Sequence, residues 1–389
     1  MKINMLMGGA TAATQIEGGD TNNNWYRFSQ KNAINDGTSS IRAIDHYRRF
    51  KEDIDIMAKL NFEIYRMSIE WSRIEPKPGQ INYDALDHYR QELQYLKSKK
   101  IKTLVTLHHF SNPLWFEDMG GFTNKLSIKI FKSYCTLIIK ELGDLINDYI
   151  TFNEPNVYVY QSFINGYWPP CKKNYHKAFL VLQNMSKAHK ICYELIHANN
   201  PQAKVSIANN IRIFDPKNPN SFIDKLGAKV YKGLYNDYTT DLFYYEGENK
   251  FYDFVGINYY TRSAISAFRN SDFENVEKND LNWEIYPKGL RRITRDFYDK
   301  YQKEIWITEN GICDNDDTKR IKYIKDHLKE IAELDFVTRY YHWSAFDNFE
   351  WREGEEMRFG LVHIDYESGK RKIKESGYYY AGLIKVKEL

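Results

Sequence analysis

Short apolar runs alternate with longer amphipathic stretches from one end of the chain to the other. The runs Met5–Thr11, Phe62–Ile69, Ile101–Leu107, Tyr149–Asn153, Ala203–Ala208, Asp253–Tyr260, Glu304–Glu309 and Phe336–Phe346 are rich in β-branched and aromatic residues. They show little polar alternation, as strands of a parallel sheet buried on both faces require. The stretches between them have helical spacing. Over Ile44–Leu60, for example, Ile44, Tyr47, Phe50, Ile54, Met57 and Leu60 fall on one stripe. The same pattern predicts helices over Asp84–Ser98, Lys125–Leu145, His176–Ala198, Ser221–Tyr244, Lys288–Tyr301, Arg320–Glu333 and Glu375–Lys387. A series of strand–helix units without a linker predicts an α/β fold, a single (β/α)8 barrel spanning residues 1–389. An open doubly wound sheet competes with it. That arrangement is weakened because Gly8-Gly9 and Gly18-Gly19 lack the Gly-x-Gly-x-x-Gly spacing.

Composition narrows the partners. With 55 basic and 52 acidic residues in mixed order, the net charge of +3 points to neither nucleic acid nor an anionic membrane. No run of about 18 apolar residues exists, so no membrane span is expected. Met1–Ala13 has a faint likeness to a signal peptide, but Asn4 and the glycines break its apolar stretch. Cys135, Cys171, Cys192 and Cys313 have no metal-like spacing, which fits free thiols and a cytoplasmic location. Aromatic residues are 16% of the chain, a surplus that suits a large core and also a carbohydrate pocket, where rings stack on sugar C–H faces.

In such barrels the chemistry gathers at the C-terminal strand ends. Polar or aromatic residues stand at nearly all of them: Gln15 and Glu17, Arg66, His108 and His109, Asn153 and Glu154, Asn258 and Tyr260, Glu309, and Trp343 through Trp351. Two motifs dominate, Thr151-Phe152-Asn153-Glu154-Pro155 and Ile307-Thr308-Glu309-Asn310-Gly311. Each ends a run of β-formers with a carboxylate and is followed by a strand breaker. A facing pair of carboxyl groups is the minimum apparatus for cleaving a glycosidic bond.

Further motifs support this reading. They are Gly8-Gly9-Ala10-Thr11 leading to Gln15-x-Glu17-Gly18, Tyr65 to Ile74, Thr106-Leu107-His108-His109-Phe110, Gly256-Ile257-Asn258-Tyr259-Tyr260, and Trp343 to Trp351 ending in Arg358-Phe359-Gly360. With these the chain resembles the family 1 glycoside hydrolases, the β-glucosidase family, over its whole length. The resemblance implies a retaining exo-β-glycosidase that acts through a covalent glycosyl-enzyme on a small β-glycoside, without metal or other cofactor. It implies Glu154 as acid/base and Glu309 as nucleophile, with carboxyls about 5–5.5 Å apart. Arg66, Tyr260, Asn153 and Asn258 would support them. Gln15, His109, Trp343, Glu350, Trp351 and Phe359 would bind the sugar. His108 has no such assignment and is expected to be structural. Trp115, Trp168 and Trp283 are possible walls on the aglycone side. Met7, Thr14 and Phe110 depart from the family pattern, and the loss of an indole at Phe110 weakens the inference to hexose. The alternatives are a transglycosidase, a 6-phospho-β-glycosidase, or a non-catalytic sugar-binding barrel. Glu350, Glu355 and Glu356 argue against the phosphate, Arg352 and Arg358 for it. Oligomeric state is not legible.

Overall fold

The eight apolar runs become the staves of one closed barrel. They are β1 (Leu6–Ala10), β2 (Ile64–Ser68), β3 (Lys102–His108), β4 (Asp148–Asn153), β5 (Lys204–Asn210), β6 (Val255–Asn258), β7 (Ile305–Asn310) and β8 (Val337–Trp343). A computed structural model describes all residues, 1–389. In it each strand pairs in parallel with its chain neighbours, and β1 closes the ring against β8, Leu6 opposite Arg339 and Ala10 opposite Trp343. Every residue of β2, β4 and β7 is buried, which is why those runs show no polar alternation.

The outer layer contains α1 (His46–Lys59), α2 (Tyr83–Ser98), α3 (Ser127–Leu142), α4 (Tyr175–Asn199), α5 (Phe222–Tyr231), α6 (Thr239–Tyr244), α7 (Pro287–Tyr301), α8 (Arg320–Ile331) and α9 (Glu375–Val386). Helix α2 shows how they form. Leu86, Tyr89, Leu93 and Leu96 make a buried stripe, and the Asn82 side chain caps the free N–H groups of Asp84 and Ala85. Such a cap stabilises a helix by about 1 kcal/mol. Helix α5 runs on into α6 through wider, π-type turns over Lys232–Tyr238, so the helix expected over Ser221–Tyr244 is continuous.

The boundaries differ where one residue changes direction. Asp45 has a left-handed backbone (φ 60), so α1 starts at His46 and not at Ile44. The last strand, expected to reach Phe346, ends at Trp343. A small sheet of Ile213–Pro216, Arg262–Ser266 and Arg269–Ser271 was not foreseen. It lies on loops following β5 and β6, and its strands are too short to show a period.

Two irregularities matter for function. The register slips between Ile150 and Asn153 in β4, and between Ile307 and Glu309 in β7. A local slip re-aims the side chains that follow it. Both slips lie at the tips that carry the motif glutamates.

Candidate active site

Glu154 sits just past β4 in a left-handed conformation (φ 41), and its N–H donates to Ala208 O on β5 at 2.6 Å. Pro155 then opens a short helix, Pro155–Val159. Glu309 lies near the tip of β7, and both carboxylates line a cavity of about 600 Å³. After β7, Gly311 lets the chain pass against β8. A Cβ there would come within 1.7 Å of Trp343 O, so no larger residue fits without displacement.

The two glutamates differ in their partners. Glu309 receives a hydrogen bond from Arg66 Nη1 at 2.5 Å on Oε1 and from Tyr260 OH at 2.6 Å on Oε2. Glu154 has no cation. Its Oε1 accepts from the amides of Asn258 at 2.8 Å and Asn210 at 3.0 Å. The pair is linked through Asn153, whose Oδ1 accepts from Arg66 Nη2 at 2.6 Å and from Asn258 Nδ2 at 3.1 Å. That leaves the Asn153 amide nitrogen turned toward His109 Nε2, 2.9 Å away. Asn258 is itself oriented by the Thr308 hydroxyl, which donates to its Oδ1 at 2.6 Å.

Burial, followed by the charge of Glu309, raises the Glu154 pKa to about 8, although the two amides and Arg66 oppose the rise. Burial also raises Glu309, but Arg66 and Tyr260 hold it back. Of the pair, Glu309 alone has a cation and a phenol that favour the carboxylate form, while Glu154 has only amides. Glu350 is raised to about 8, first by burial and then by Glu309, while Gln15 opposes. Burial and the neighbouring Arg66 keep His109 neutral, well below an ordinary imidazole.

The structure gathers the other expected residues around this pair. His109, Trp343, Glu350, Trp351 and Phe359 line the cavity. The His109 ring is stacked with Trp343 and with Trp351, each at 5.8 Å. Gln15 lies behind the cavity wall. Its Nε2 donates to Asn348 Oδ1 and Phe349 O, each at 2.9 Å, and to Glu350 Oε2 at 3.2 Å. Its Oε1 has no protein partner. Trp168 and Trp283 line the cavity, as expected of aglycone walls. Trp115 does not. Its indole donates to Glu75 O at 2.7 Å and its ring packs edge-on against Trp71, so that expectation fails. His108 turns away into Phe122, Phe131, Phe152 and Tyr158, and its Nε2 meets Asn112 Oδ1 at 3.0 Å. Phe110 packs on Trp168 and Trp351, so the position remains an aromatic wall. Glu17 is tied to Arg73 and Tyr89, each at 2.6 Å.

Asn210 and Tyr235 escaped the sequence reading. Asn210 ends β5, two residues beyond the expected end at Ala208, and Tyr235 OH donates to its Oδ1 at 3.1 Å. The strand-end rule points to Asn210 once β5 is given its true length; nothing local points to Tyr235. A larger hollow, about 1110 Å³, lies at the opposite end of the barrel. Arg339 pairs there with Asp148 at 2.7 Å and Lys204 with Glu304, while Lys97, Lys100 and Lys102 line it without a carboxylate partner.

Comparison with known proteins agrees with this geometry. The chain is 32% identical to a 1,4-beta-D-glucan glucohydrolase of Thermotoga neapolitana, over 98% of this chain and 97% of that one. Among solved structures, a beta-glycosidase from Pyrococcus horikoshii superposes with a TM-score of 0.93 at 34% identity, covering 100% of this chain and 96% of that one. A beta-glucosidase from Thermotoga maritima in complex with glucoimidazole has a TM-score of 0.93 at 30% identity, with 100% of both chains covered. The model of glycosyl hydrolase family 1 matches residues 2–389, and the chain belongs to that family.

Proposed function

We propose that this enzyme is a retaining exo-β-glycosidase acting on β-glucosides, with Glu154 as acid/base and Glu309 as nucleophile. The observation that carries the reading is the unequal environment of the two glutamates. One is bound by a guanidinium and a phenol, the other only by amides. The ionised Glu309 attacks the anomeric carbon while Glu154 gives its proton to the departing glycosidic oxygen, so the aglycone leaves as a neutral alcohol. Glu309 is then an ester without charge. The repulsion that held the proton on Glu154 is gone, and Glu154 as carboxylate takes a proton from water. The water oxygen displaces Glu309 and regenerates both groups. The second amide hydrogen of Asn153 is available for a 2-hydroxyl. Glu350, held by Gln15 Nε2 at 3.2 Å, offers its carboxyl to the outer hydroxyls of the sugar, and Trp343 offers a stacking face. Two carboxylates carry the proton and the covalent bond, so the reading calls for no cofactor. A cytoplasmic location goes with it, supported by the four free cysteines.

The local chemistry speaks against a 6-phosphate. Glu350, Arg352 and Glu353 line the cavity, and Glu350 is hydrogen-bonded by Gln15 and not paired with a cation. Arg358 is turned to Ile364 O at 3.0 Å and Asp347 at 3.5 Å, and Arg352 lies over the Tyr167 ring. The deciding experiment is a panel of aryl β-glycosides (glucoside, galactoside, fucoside, mannoside, xyloside and glucoside 6-phosphate), with the first-formed sugar anomer read by NMR. Turnover of the plain glucoside with release of the β-anomer is expected. Release of the α-anomer would overturn the nucleophile assignment. Preference for the phosphate would overturn the reading of Glu350, and inactivity of folded protein on every sugar would return the chain to a binding role. Added alcohol acceptors separate hydrolysis from transglycosylation.

A further inference from the structure

Helix α5 and the turns that follow it are built inside out. Their buried residues are small or polar, Asp224, Gly227, Ala228 and Asn236. Their large apolar residues face outward: Phe222 (76% exposed), Leu226, Val230, Leu234 (65%) and Tyr238. A surface helix ordinarily does the reverse. These five positions recur every fourth residue. In a regular helix such a row drifts round the axis, and the wider turns over Lys232–Tyr238 reduce that drift.

Helix α4 extends the same surface. It runs alongside in the same direction, with Gln183 meeting Tyr238 OH and Ser186 meeting Leu242 O. One and two turns earlier on α4 stand Phe179 and Tyr175, both exposed, which brings them level with Leu234 and Val230. Cations border this apolar face. Lys172, Lys173, Lys177, Lys225, Lys229 and Lys232 are all exposed. From Pro155 to Tyr193 the chain has no acidic residue, and from Pro216 to Asn236 it has only Asp224. That one is buried, accepting from the N–H groups of Asn218 and Ala267 at 3.0 Å.

We infer that this face docks on an anionic lipid bilayer, with its aromatic and aliphatic side chains in the headgroup boundary and its lysines on lipid phosphates. The local charge decides between occupants. Of the six lysines only Lys232 has a carboxylate partner, Asp296 at 3.5 Å, and Asp237 at the far end of the row lies 3.8 Å from Lys300, so a second copy related by a two-fold axis would set lysine rim against lysine rim. A membrane of acidic lipids answers all of them. The face also adjoins the active site, because Tyr231 and Tyr235 on the same helical segment line the catalytic cavity. On the glycosidase reading, docking therefore presents the cavity mouth to β-glycosides whose aglycone is a lipid. The docking itself does not depend on that reading.

The test is co-sedimentation of the full-length enzyme with vesicles of phosphatidylglycerol and phosphatidylcholine, against vesicles of phosphatidylcholine alone. Binding is expected only to the anionic vesicles, and raised salt should weaken it. Replacing Phe222, Leu226 and Leu234 together by Ser should lower vesicle affinity roughly tenfold or more. So should replacing Lys172, Lys177 and Lys229 together by Gln. Neither set lines the cavity, so turnover of a water-soluble aryl glucoside and the melting temperature should stay at wild-type values. Wild-type protein that ignores the anionic vesicles, or binds both kinds equally, overturns the inference. A dimer in sedimentation velocity that the serine variant abolishes also overturns it, and gives the face to a second copy. If vesicles bind but no glycoside is turned over, docking stands and the catalytic reading falls.

Discussion

Glu154 and Glu309 have the same side chain, so whatever separates their roles comes from their neighbours. The hydrogen bonds make that separation testable in opposite directions. Removing the Glu309 charge with Glu309→Gln takes away a repulsion that raises Glu154, so the Glu154 pKa should fall below about 8. Asn210→Ala removes a donor that favours the carboxylate form, so in that variant the pKa should rise. Titration of ¹³C-labelled glutamate by NMR reads both. A shift of the same sign in the two variants would contradict the assignment. Activity follows the same division. Glu309→Gln should lose more than about 100-fold in kcat, or ~2.7 kcal/mol of transition-state stabilisation. Glu154→Ala should impair poor leaving groups far more than activated aryl groups, because only the former need a proton. Equal losses across leaving groups would dismiss Glu154 as the acid.

The elements set the precision of this pair. Both glutamates follow register slips, and the exit of β7 is pressed against β8 at Gly311. A Cβ at that point meets the Trp343 carbonyl, and Trp343 is also a wall of the sugar cavity. Gly311→Ala should therefore cost about 1–3 kcal/mol of stability by overpacking and lower kcat as well. A variant with wild-type melting temperature and kcat would show that the strand tips have slack. The motif Thr308-Glu309-Asn310-Gly311 was legible as a strand end in the sequence. Its glycine could not be explained there, since the carbonyl it accommodates lies 32 residues away, on β8 (343 − 311). Asn210 was hidden for a similar reason. Asn209-Asn210 has no apolar character to extend the run, and only pairing with β6 keeps both residues in strand β5.

Across the whole molecule, buried ionisable groups give stability a definite pH dependence. Native Glu70 keeps its proton to about 7, Glu154 and Glu350 to about 8, and His46 to about 10. Their unfolded values are 4.5 for Glu and 6.5 for His. Above pH 6.5 the folded protein therefore holds protons that the unfolded chain has released, and stability falls as pH rises. His108 and His189, lowered to about 4, and His327, lowered to about 3, act in the opposite sense, but only below 6.5. The melting temperature should thus decline from pH 6.5 to 8. A rise over that interval would mean that these groups are not buried as described. The decline would place Glu154, the proposed acid, among the groups whose deprotonation weakens the fold in alkali.

The sequence by itself determined the barrel, because strands buried on both faces and helices buried on one leave different periods in the chain. It also determined the two glutamates, because a carboxylate between a β-forming run and a strand breaker can stand only at a strand tip. Tertiary structure alone decided which partners each glutamate received, which tryptophans reached the cavity, and that Phe222, Leu226 and Leu234 face solvent. A helix records that it has an apolar stripe, and that stripe ordinarily faces the core. Here Gly227 and Ala228 take the buried side, where Gly227 is closely approached by Ile265 and Phe268. That choice was made by neighbours far away in the chain.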